Sequence, residues 1–124
     1  MAGTAAHVPL VNLMTREQAI WYLSAIIDGE GTIDRSGRAI HISNTDDGVL
    51  SAVEQCCDVL GYHYTSRYRN NGTGYQRIGH ITISRRDTVE RAAEDLQMQG
   101  AKQHHLRAVA LSYDQARKHR TYVE

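Results

Sequence analysis

Apolar residues recur at helical spacing from Ile20 onward, at Leu23, Ile26 and Ile27, and this predicts a helix from about residue 15 to Ile27. Thr15-Arg16-Glu17-Gln18 supplies a capping box at its start. Asp28 and Gly29 are expected to end it. The period then changes to two, with strands predicted at 32–36 and 38–43 about a Ser36-Gly37 turn. A second helix is expected over about 47–60, capped by Thr45 or Asp46 and closed by Gly61. A second hairpin follows over 62–69 and 75–84, around an Asn70-Asn71-Gly72-Thr73-Gly74 loop. Helices over 87–98, capped by Asp87, and from about His104 to His119 complete the order. The lead-in 1–14 is expected to be weakly ordered.

This α-β-β-α-β-β-α-α order predicts an α+β domain with one four-stranded antiparallel sheet. Helices would cover one face and leave the other open. The open face should carry Asp34, Ser36, Arg38, His41, Ser43, Thr65, Arg67, Arg69, Gln76, Ile78, His80 and Thr82. Its hydrogen-bonding groups and surplus of Arg suit entry into the major groove of a duplex.

Formal net charge is zero, with 14 basic and 14 acidic residues. The charge is unevenly placed. Residues 61–86 hold Arg67, Arg69, Arg77, Arg85 and Arg86 and no Asp or Glu, which suggests a surface for a polyanion. No apolar run is long enough to span a membrane, and the first 14 residues show no signal or transit peptide. Cys56 and Cys57 are adjacent in the second predicted helix, fit no zinc spacing and read as buried reduced thiols.

The chemistry concentrates at 21–33, Trp-Tyr-Leu-Ser-Ala-Ile-Ile-Asp-Gly-Glu-Gly-Thr-Ile. Asp28 and Glu30 crowd a helix end whose carbonyls already make it negative. Carboxylates there need a compensating cation, and a divalent metal is the candidate. An EF-hand loop does not fit, because Ile33 and Ala39 stand where its Gly and Glu are required.

Leu23-Ser24-Ala25-Ile26-Ile27-Asp28-Gly29-Glu30-Gly31 resembles the signature nonapeptide of the LAGLIDADG homing endonucleases. The αββαββα element order agrees, and Ile42-Ser43-Asn44-Thr45-Asp46 resembles the family's strand-to-helix junction. The resemblance implies that Glu30 binds Mg2+, or another divalent cation such as Mn2+, with Asp28 beside it. Asn44 and Lys102 would complete the catalytic set. It also implies that Trp21, Ser24, Ala25 and Asp28 line a helix–helix interface. The nonapeptide occurs once, and two-strand cleavage needs two centres. A homodimer on a long pseudo-palindromic site in double-stranded DNA is therefore expected, with no small-molecule cofactor. Non-cleaving maturases and DNA-binding regulators are the alternative.

Overall fold

The computed structural model describes residues 14–70 and 77–123, with side chains described as far as Tyr113 apart from that of Asn70. The expected lead-in except Met14, and residues 71–76 of the second hairpin with Gln76 among them, lie outside the described residues.

The elements run α1 (Arg16–Glu30), β1 (Gly31–Asp34), β2 (Ala39–Asn44), α2 (Asp47–Leu60), β3 (Thr65–Asn70), β4 (Arg77–Ile83), α3 (Arg86–Asp95) and α4 (Ala101–Val123). The sheet has the order β1-β2-β4-β3, and every neighbouring pair is antiparallel. Its covered face is an isoleucine layer. Ile40 pairs with Ile83 and Ile42 with Ile81, and all four are buried under the helices with Leu23, Ile27, Leu50, Val53 and Leu106. No helix among the described residues is long and apolar enough to cross a membrane.

Local signals place several boundaries. The Thr15 hydroxyl accepts the Gln18 N–H at 3.1 Å, and Gln18 reaches back to the Thr15 N–H at 2.9 Å. Asp46, not Thr45, caps α2, accepting from Gly48 and Val49. Gly61 adopts φ 71°, and the Tyr62 N–H then bonds to the Cys57 carbonyl at 2.8 Å. This is a Schellman closure. It draws Tyr62 into the core, so β3 starts at Thr65, three residues later than expected.

Other boundaries move because of distant contacts. The helix α1 continues through Asp28 and Gly29 to Glu30. Helix α3 starts one residue early, with Arg85 at the N-cap position. Asp87 lies inside the first turn, where its carboxylate accepts the Thr88 N–H. It also stops three residues early. The amides that would prolong it bond elsewhere: Gln97 N–H to the Ser24 hydroxyl, Met98 N–H to the Gln103 side chain and Gln99 N–H to the Asp28 carboxylate.

Two close approaches need glycine. A Cβ on Gly31 would stand 2.8 Å from the Ile27 Cα and 2.9 Å from its carbonyl oxygen, so the chain can turn out of α1 there only without a side chain. A Cβ on Gly79 would stand 2.3 Å from the Leu50 side chain, where α2 presses on β4.

Candidate active site and open sheet face

The end of α1 gathers four polar side chains from three parts of the chain. Glu30 is exposed, and the Asn44 amide, from the end of β2, donates to its carboxylate. The Asn44 carbonyl is occupied by the Asp46 N–H at 2.7 Å. That bond fixes which way the amide faces and points its N–H2 at Glu30. The α2 cap and the Glu30 carboxylate are thereby coupled through one side chain.

Lys102, near the start of α4, donates its ammonium to the carbonyls of Ile27 and Asp28, at 3.0 and 2.8 Å. A half-buried cation thus sits at the negative end of α1, where it caps the Asp28 carbonyl and shares the Ile27 carbonyl with the Gly31 N–H. This is why the helix runs past Asp28 and Gly29, where local propensity would end it. At this helix end the counter-charge is a protein ammonium, and Lys102 acts on the backbone that carries Glu30.

Asp28 faces the other way and accepts the Gln99 N–H at 3.0 Å, which ties the 96–100 connection to α1. Ser24 does the same through Gln97 and is itself buried. Trp21 (58% exposed) and Ala25 remain open on α1. With Ser24, Asp28 and Gly29 they line a cavity of about 360 Å³, to which Gln97 and Gln99 also contribute. Gln97 falls inside the helix expected over 87–98 and Gln99 just past its end, and neither carries a local sequence signal for this contact. Among the described residues no three His, Cys, Asp or Glu side chains cluster as a ready-made metal cage. The chemistry of the set is one exposed carboxylate steadied by a neutral amide.

On the open face, Thr32, His41, Thr82 and Thr65 stand in one cross-strand row, and Ser43, His80 and Arg67 in the next. Arg69 and Ile78 face each other in a third. His41, Arg67, Arg69, His80 and Thr82 line a cavity of about 470 Å³. Thr32 belongs to this face by simple alternation. Ser36 and Arg38 do not, because the β1–β2 connection spans 35–38 and both lie within it. Arg38 takes φ 53°, its carbonyl accepts the Tyr113 hydroxyl and its guanidinium lies 5.1 Å from the Tyr113 ring centre, so it packs on α4. Asp34 holds that connection through Ser36 and the Gly37 N–H. The Gly37 N–H above all, then Ser36 and His41, keep its carboxyl below the usual range.

A family model described as a LAGLIDADG-like domain matches residues 17–97, more than half of the chain. The chain belongs to the LAGLIDADG-like family. Members of this family are generally nucleases, and some are non-cleaving maturases. The match takes in the whole sheet, Glu30 and Asn44 and ends just short of Lys102, so the LAGLIDADG-like fold here receives its helix-end cation from beyond the matched stretch. Neither a search of curated proteins nor a search of solved structures returns a match.

Proposed function

We propose that this chain is a divalent-metal-dependent DNA endonuclease that acts as a homodimer and cuts both strands of a long, pseudo-palindromic site. The observation that carries this reading is the Glu30 carboxylate, presented at the exposed end of α1, oriented by Asn44 and backed by the Lys102 ammonium.

A single exposed carboxylate suits Mg2+, which keeps several of its waters and takes one or two carboxylates together with phosphate oxygens. Glu30 would hold the ion, and Asn44 would keep the carboxylate in its pose. When bound, such an ion neutralises phosphate charge and acidifies coordinated water. Asp28 braces the 96–100 connection, and Lys102 keeps the last turn of α1 helical up to Glu30.

One protomer offers one Glu30, and two scissile bonds need two. The exposed stripe of Trp21, Ala25 and Gly29, four residues apart along α1, gives a second copy a narrow surface with room for close approach. Pairing there brings the two Glu30 carboxylates towards the symmetry axis. The open sheet faces would then lie on the duplex.

The test is cleavage and binding by wild type and Glu30→Gln on a duplex library. Wild type should cut in Mg2+ and lose affinity steeply with salt. The Gln variant should bind and not cut. A Gln variant that cuts at the wild-type rate would overturn the assignment. A wild-type chain that binds without cutting would indicate a non-cleaving role.

A further inference from the structure

The basic segment 61–86 is less free than its sequence suggests. Arg77 pairs with Asp47 and stacks 4.4 Å from the centre of the Tyr68 ring. Arg85 pairs with Asp87 and Arg86 with Glu90. Only Arg67 and Arg69 of the five make no hydrogen bond or ion pair to another described residue. Both are exposed, and both lie on the edge strand β3 with their side chains on the open face.

Apart from the exposed hydroxyls of Thr32 and Thr65, the other described polar groups of that face are engaged with one another or with the β1–β2 connection. His41 bonds to Thr82 at 3.2 Å and stands 3.6 Å from Asp34. Asp34 in turn holds Ser36 and Gly37. Ser43 and His80 share a hydrogen bond of 2.6 Å. A hydroxyl or imidazole held across strands is fixed in its pose with one donor or acceptor already committed, so it has fewer groups left for a base edge than a guanidinium with no internal partner. Ile78 is the apolar exception on the face, half-buried and directly opposite Arg69.

We infer that Arg67, Arg69 and Ile78 determine the sequence read by this face, and that Asp34, His41, Ser43, His80 and Thr82 act as cross-strand struts that keep the ribbon rigid. The inference rests on the reading above that the open face lies on duplex DNA. A guanidinium free of internal partners presents the two parallel donors that match guanine O6 and N7, and an aliphatic side chain suits the thymine methyl. Residues two apart on a strand are separated by about 6.6 Å, close to two base-pair steps of about 3.4 Å each. Each half-site should therefore contain two guanines about two base pairs apart. A thymine should lie within one step of the guanine read by Arg69.

The test is a binding selection from a randomised duplex library with the full chain in EDTA, so that cleavage plays no part. Wild type should enrich guanine at two positions with that spacing and thymine beside one of them. Arg67→Ala and Arg69→Ala should each lose one guanine preference, by roughly five- to hundredfold. Arg69→Lys keeps the charge, so it should retain affinity yet lose that preference. Ile78→Ser should lose the thymine preference alone. If the Arg variants weaken binding equally for all sequences and leave every base preference intact, they contact phosphates and the inference is wrong. If wild type enriches no duplex at all, the reading of the open face as a DNA surface fails, and the inference falls with it.

Discussion

Lys102 donates to the Asp28 carbonyl at 2.8 Å, two residues before the carboxylate of Glu30 and across 74 residues of chain. Replacing Lys102 by Met removes two charge-assisted hydrogen bonds and the cation that offsets the end of α1. Stability should fall by about 1–3 kcal/mol, measured by urea unfolding. The last turn of α1 should lose amide-exchange protection before the rest of the helix does. Arg at this position should restore part of both.

Asn44→Ala should leave the fold largely intact while lowering single-turnover cleavage by about 10–100-fold, the range seen when the partner of a metal-binding group is removed. Much of the loss should be recovered at high Mg2+ if Asn44 acts by posing Glu30. Cleavage measured against Mg2+ concentration separates this from damage to the α2 cap, because loss of the cap would lower the unfolding midpoint and would not respond to metal.

Gly79→Ala should cost about 1–3 kcal/mol, because the added methyl overlaps the buried Leu50 side chain and the Tyr68 ring. A companion Leu50→Val change, which withdraws the obstructing methyl, should recover part of that loss. Unfolding of the single and double variants gives the coupling directly.

Burial pushes the Cys56 thiol up to about 11 and the Cys57 thiol up to about 12, with Cys56 adding to the latter shift. Both thiols are neutral in the folded chain near pH 8, so alkylation there should be slow and become fast in denaturant. In the unfolded chain they ionise near pH 9. The stability linked to them is complete below pH 9 and is lost as pH rises towards about 11 and 12. Replacing both by Ala should flatten that alkaline decline in a pH series of unfolding curves, at some cost in core packing.

What could be read from the sequence divides by the range of the interaction. The capping box at Thr15, the closure at Gly61 and the open-face placement of His41, Ser43, His80 and Thr82 rest on neighbours a few residues apart, and each stands where the pattern put it. The pairing of Glu30 with Asn44 could be suspected from the family resemblance, though not from spacing. The end of α1 could not be read, because Lys102 sets it from the far end of the chain. The end of α3 was hidden for the same reason: its amides are claimed by Ser24 and Asp28, residues whose acceptor role leaves no trace in a local window. Arg38 was misplaced because a four-residue connection, pinned by Asp34, replaced a tighter turn.

The contact between Lys102 and α1 also orders events in time. A ribosome delivers Glu30 and Asn44 well before residue 102. Until α4 docks, the final turn of α1 lacks its cation and tends to fray at Asp28-Gly29, leaving Glu30 without a settled position. A partly made chain would therefore carry the whole signature nonapeptide without the cation that holds its last helical turn. On the function proposed above, the Glu30 site would be complete only once synthesis has passed Lys102 and the last helix has docked on α1.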